Sequence, residues 1–195
     1  MKKLTLTAWL LLTVPALFAQ QSDTTATADQ LGETALMLEL AEESQTRAVD
    51  GTILWNARFE GAEEIRTPEE LYRKIHTILR EIWRSPGHDE IVSQDDDCLT
   101  ARMKLVRIAS GRRFGFGFDC RIHLLRDTAS ADVELRCTEW EFDNEVRNPA
   151  ECFPYREEAD MPFEVKKQGF AQWLLLESAL RSLRYSLQFE LAGGL

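Results

Sequence analysis

Seven residues in the middle of the chain have the types and spacing for anion recognition: Arg102, Lys104, Gly115, Gly117, Arg121, His123 and Arg136. They fill alternate positions in runs whose other positions are apolar, as in Phe114-Gly115-Phe116-Gly117-Phe118-Asp119-Cys120-Arg121-Ile122-His123-Leu124. In a strand, that period sends one set into the core and the other to the opposite face. The seven therefore share an open sheet face, where cationic and imidazole side chains stand beside bare glycine backbone. Clustered charge of this kind suits a small anion or an acidic peptide. The plainer alternative is a solvated sheet face whose glycines permit coiling, or a face covered by the segment 144–162.

Catalysis has less support. His76 falls on the outer part of a charged helical stretch, His88 follows Pro86-Gly87, and His123 lies on the open face, so all three read as surface histidines. The chain has no His-x-x-x-His, Gly-x-Ser-x-Gly or Walker-type run. Asp95-Asp96-Asp97 lacks the spread of oxygen ligands that a dedicated calcium loop uses, and reads as a solvated turn. No metal and no cofactor are expected.

The elements that must hold these residues follow from the pattern of apolar positions. Ile53, Trp55, Ala57 and Phe59 alternate after the turn signal Asp50-Gly51 and predict the first strand. Thr67-Pro68-Glu69-Glu70 opens a helix with a cap, a first-position proline and a capping-box glutamate. Leu71, Ile75, Ile78, Leu79 and Ile82 continue it at helical spacing, and Ser85-Pro86-Gly87 stops it. Strands follow over 91–93, 99–105, 114–124 and 133–137, joined by turns. Segment 144–162, with Pro149, Pro154 and Pro162, reads as a long irregular connection. The last helix runs from Phe163 to about Glu190, with Phe170, Trp173, Leu176, Leu180, Leu183 and Leu187 in one stripe.

Turn positions predict two registers. A turn centred between Ser110 and Gly111 sets Leu105 opposite Phe116, Met103 opposite Phe118 and Ala101 opposite Cys120. A turn centred between Thr128 and Ala129 sets Leu124 opposite Val133, Ile122 opposite Leu135 and Cys120 opposite Cys137. In that register Arg121 faces Arg136, a like-charged pair that is unfavourable unless something compensates, and the anion or acidic-peptide site is centred on these two arginines. Arg102 then faces Asp119, and His123 faces Glu134. Trp140 and Phe142 fall out of phase with Cys137, which predicts a bulge near Thr138-Glu139.

Cys98, Cys120, Cys137 and Cys152 contain no Cys-x-x-Cys pair. Cys120 and Cys137, as cross-strand neighbours, are either free core thiols or a disulfide, which needs Cα atoms about 4.4–6.8 Å apart. Cys98 with Cys152 is a further possible pair.

The fold class that results is α+β: a single antiparallel sheet of about five strands with two helices on one face, in the order β-α-β-β-β-β-α. At this point the chain resembles a secreted bacterial domain-of-unknown-function family with a TATA-binding-protein-like fold. The resemblance covers about Val49 to Leu191 and rests on four features. These are the N-terminal export signal, the entry strand Gly51-Thr52-Ile53-Leu54-Trp55, the helix start Pro68-Glu69-Glu70-Leu71-Tyr72 and the hairpin from Ile91 to Ala101. It implies that fold and a secreted location, and no reaction.

Residues 1–19 read as a signal peptide, with Lys2-Lys3 before an apolar run that ends at Phe18-Ala19. Residues 20–48 read as a partly helical linker, 49–191 as the domain and 192–195 as a tail. An exported chain is therefore expected, periplasmic or secreted, with no integral membrane segment after cleavage. The formal net charge of −10 opposes a phosphate backbone, so nucleic acid is not an expected partner. The function expected is a non-catalytic module that binds a protein or small ligand of the bacterial envelope. The alternatives are a carrier of a small apolar ligand between sheet and last helix and, more weakly, an enzyme of unknown type.

Overall fold

The computed structural model describes residues 28–83, 88–109, 111–158 and 160–192. The expected signal peptide 1–19, the helix stop Ser85-Pro86-Gly87 and the tail beyond Ala192 lie outside the described residues, as does the side chain of His88.

The chain begins with helix α1 (Ala28–Glu42), whose Met37 is buried in the core. Strands β1 (Thr46–Val49) and β2 (Thr52–Glu60) then form a hairpin. Asp50 and Gly51 close it with φ of 48° and 74°. Two successive positive φ values fit the tight primed turn whose twist matches the strands it joins. Thus the stretch expected as linker carries a helix and an edge strand.

Helix α2 (Pro68–Trp83) starts as its sequence dictates. The Thr67 hydroxyl accepts the Glu70 N–H at 3.3 Å, and the Glu70 carboxylate accepts the Arg66 N–H at 2.7 Å. Leu71, Ile75, Ile78, Leu79 and Trp83 form its buried stripe. Strands β3 (His88–Gln94), β4 (Cys98–Ala109), β5 (Arg112–Leu125), β6 (Ser130–Phe142) and β7 (Glu145–Arg147) follow. Helix α3 (Phe163–Leu191) ends the described chain and buries all six residues of its expected stripe.

The strands make one antiparallel sheet in the order β1-β2-β6-β5-β4-β3, with β7 beside β6. The class is α+β, as expected, but the details are corrected: the described residues hold seven strands, not five, and three α-helices, not two. β1 and β7 escape a reading based on apolar alternation. β1 is Thr46-Arg47-Ala48-Val49, and all three residues of β7 are exposed.

Helices α2 and α3 cover the face that carries Phe116 and Phe118. Trp83 meets Phe116 edge-on at 4.6 Å between ring centroids, and Trp140 meets it from the other side at 6.1 Å. Each large apolar side chain buried there contributes about 1.5–3 kcal/mol. Leu176, Leu180, Leu183 and Leu187 of α3 complete the same core. This core fixes which side of the sheet is left open.

The β4–β5 register is the expected one, with Leu105 opposite Phe116, Met103 opposite Phe118 and Ala101 opposite Cys120. The bulge also lies where expected, with Gly117 opposite Glu139 and Phe118 opposite Cys137, so Thr138 is the extra residue. The β5–β6 register is corrected by two residues: Leu124 faces Ala131, Ile122 faces Val133 and Cys120 faces Leu135. The cause is the turn. A 3-10 turn at Arg126–Thr128, followed by Ala129 at φ 47°, pairs Leu125 with Ser130 and moves the turn centre one residue earlier.

Candidate binding face

The seven expected site residues lie on one sheet face, opposite the helices, and the corrected register changes their partners. Arg121 faces Glu134 rather than Arg136, Arg136 faces Asp119, and His123 faces Asp132 rather than Glu134. Arg102 faces Asp119 as expected. No like-charged pair stands across β5 and β6, and Arg121 and Arg136 do not form the centre of an anion site as expected.

Opposite charges neutralise most of this face. The Arg58 guanidinium meets Asp132 with two hydrogen bonds, at 2.7 and 2.8 Å, and holds that carboxyl below its usual pKa. Arg102 stands 3.6 Å from Asp119, and Arg136 donates to Glu134 at 3.0 Å. Lys104 lies 3.6 Å from Glu139 and 3.1 Å from Glu141, and Arg113 also donates to Glu141.

The two glycines do not present bare backbone. Gly115 and Gly117 are both buried. A Cβ on Gly115 would come 2.9 Å from Glu141 Cβ, and one on Gly117 would come 3.2 Å from Glu139 Cβ. The glycines make room for two glutamates that lie over the sheet and bind Lys104. Glu141 is only 7% exposed. Burial pushes its carboxyl up, but hydrogen bonds from Lys104 and Arg113 outweigh that and hold its pKa below the usual range.

Arg121 is the exception among Arg102, Lys104, Arg121 and Arg136. Its cross-strand neighbour Glu134 gives its carboxylate to Arg136. Among the described residues, no carboxylate oxygen lies within 4.0 Å of the Arg121 guanidinium. Arg121 and His123 are both exposed. They line a groove of about 710 Å³ that also reaches Asn56, Arg58 and, on α3, Arg184. Arg184 had no signal in the alternation pattern, because it belongs to a helix from the far side of the sheet.

Cys120 and Cys137 are free thiols in the structure, the first of the two alternatives. Cys120 faces Leu135 and Cys137 faces Phe118, so the two cysteines are not cross-strand partners. Burial pushes the Cys120 thiol up to about 12 and raises Cys137 as well. Cys98 and Cys152 are also free.

His76 is not a surface histidine. Its ring stacks on Tyr72 at 5.9 Å, its Nδ1 is 3.9 Å from Asp89, and its Nε2 is buried without a hydrogen-bond partner. Asp95 holds the acidic turn by accepting the N–H groups of Asp97 and Cys98, while Asp97 pairs with Arg126 at 2.8 Å. The described residues hold no cluster of three or more histidine, cysteine or carboxylate side chains arranged for a metal. No described helix is long and apolar enough to cross a membrane.

Sequence reasoning missed a buried polar tie near β1. Glu177 of α3, 4% exposed, accepts the Gln45 N–H at 3.1 Å and the Thr46 hydroxyl at 3.2 Å. Thr46 in turn bonds the hydroxyl of Tyr155 in the long connection. A glutamate inside an apolar helical stripe was the available signal.

No family model matches the chain, and no curated protein matches it. Among solved structures, the chain is similar to a DUF4468 family protein, a domain of unknown function, from Bacteroides ovatus. The alignment covers 77% of this chain and 91% of that chain, with 13% identity and a TM-score of 0.46.

Proposed function

We propose that the chain is an exported, non-catalytic binding module with a TATA-binding-protein-like fold, which recognises an acidic partner in the bacterial envelope. One observation carries this reading: Arg121 stands exposed beside His123 with no carboxylate within 4.0 Å among the described residues, on a face where Arg58, Arg102, Lys104, Arg113 and Arg136 each have one. An unneutralised guanidinium in a groove can give two parallel hydrogen bonds to an incoming carboxylate. On a chain of net charge −10, such a site also opposes the overall field, so its specificity is local.

Nucleic acid is the wrong partner for this charge. The core phenylalanines Phe114, Phe116 and Phe118 are buried and cannot stack on bases. The test is titration of the chain with short peptides of alternating Glu and Val or alternating Lys and Val. The acidic peptide should bind more tightly, and Arg121→Ala should weaken it by about tenfold, the usual scale for a charge-assisted contact. Equal binding of the two peptides would refute the reading.

A further inference from the structure

The groove at Arg121 continues around a stretch of sheet edge that no strand covers among the described residues. β1 pairs with β2 only over Thr52–Trp55, although β2 runs on to Glu60. Val49 and Thr52 flank the two-residue turn, and such residues exchange their backbone hydrogen bonds. Thr52 therefore directs its N–H and C=O outward to β1. Alternate residues along a strand point the same way, so Asn56, Arg58 and Glu60 direct theirs outward too, past the end of β1. The chain leaves this edge at Gln45 and Thr46 because both are held to α3 by the buried carboxylate of Glu177.

We infer that the outer edge of β2 from Asn56 to Glu60 takes an extended acidic peptide segment of a partner protein as an added strand. This rests on the reading of Arg121 as an acceptor of carboxylates. Strand addition draws affinity from main-chain hydrogen bonds and specificity from alternate side chains. On the open face the added strand lies beside Arg58, which Asp132 already neutralises, and its long side chains reach along the groove toward Arg121 and His123 on β5, two strands in from β2. Around the edge it meets Ala57, whose small side chain leaves space, and exposed Arg184. Arg184 donates to the Gln45 amide at 3.3 Å and has no carboxylate within 4.0 Å among the described residues. Two cations without carboxylates among the described residues thus stand near these five residues of edge, Arg184 around the edge and Arg121 two strands in from it across β6. The outer edge of β3 differs, since its pairing with β4 is interrupted between Ile91 and Ser93 and it carries Asp89 and Glu90. A bulge and acidic charge both oppose an acidic strand there.

The test uses the full chain and fluorescent peptides of alternating Glu and Val, capped at both ends. One version is N-methylated on the amides that would face β2, and another on the amides that would face away. Methylation of the facing set should weaken binding by about tenfold, and methylation of the other set should change it little. Equal binding of both methylated forms, with the Glu peptide still preferred over a Lys peptide and still weakened by Arg121→Ala, would overturn strand addition alone. Loss of the preference for Glu over Lys would overturn the acidic-partner reading beneath it. A concentration-dependent dimer that the Glu peptide dissociates would assign the edge to a second copy of this chain and overturn a separate partner.

Discussion

Glu134 faces Arg121 across the sheet but gives its carboxylate to Arg136, two residues along its own strand, at 3.0 Å. The strand partner of Arg121 is thus its nearest candidate counter-ion and is already engaged. Two opposite results follow from this competition. Glu134→Gln removes the acid without opening space, and the acidic peptide should bind several-fold more tightly. Arg136→Ala frees Glu134 to turn toward Arg121, and the same peptide should bind more weakly, although Arg136 does not line the groove. Titrations of the two variants check this; a shift in the same direction for both would contradict it.

The glycines of the open face should tolerate substitution unequally. Gly115→Ala puts a Cβ 2.9 Å from Glu141 Cβ and should cost about 1–3 kcal/mol, as overpacking does. Gly117→Ala meets Glu139 at 3.2 Å and should cost less. Gly32→Ala, in α1 with nothing within 4 Å, should stabilise by about 0.5–1 kcal/mol. Urea unfolding of the three variants measures this order.

Stability should fall with acidification in two separate ranges. Burial lowers the pKa of His76, with Asp89 opposing and Arg80 assisting. The unfolded chain therefore takes up that proton first, and stability declines as pH drops below about 6.5. His76→Asn should flatten this limb of the urea midpoint. Glu141 has a lowered pKa, so its contribution is present above the ordinary glutamate range and is lost only below about pH 4. A wild-type midpoint that is flat from about pH 7.5 to 5 would contradict the assignment for His76.

Buried free thiols predict a definite labelling pattern. Alkylation of the native chain should leave Cys120 and Cys137 unmodified, since burial keeps both protonated and out of contact with reagent. In urea without reductant, both should label. An intact mass two hydrogens lighter, with both sites blocked in urea, would show a disulfide instead.

What the sequence disclosed and what it hid have one physical cause. Side chains alternate with a period of two, so alternation told which residues of β4, β5 and β6 are core and which are open. The same period makes a slip of two residues invisible, because every apolar residue stays on its face. Leu124 packs as well opposite Ala131 as opposite Val133; only the turn at Arg126–Thr128 decides, and its conformation has no apolar signature. That slip gave Arg121 the wrong partner and placed Cys137 beside Cys120. The bulge at Thr138 was legible because Trp140 and Phe142 are large and change phase together. The roofing of Gly115 by Glu141 was not, since two residues on different strands produce it.

Recognition of an acidic partner requires that Arg121 bind a carboxylate from outside the chain. The most direct measurement is the affinity of the full chain for the alternating Glu and Val peptide, before and after Arg121→Ala, with Arg102→Ala as a control. Arg102 lies on the same face but is already near Asp119 at 3.6 Å. Arg121→Ala should weaken binding by about tenfold, while Arg102→Ala should leave it nearly unchanged. Equal effects of the two substitutions, or no effect of either, would contradict that role of Arg121.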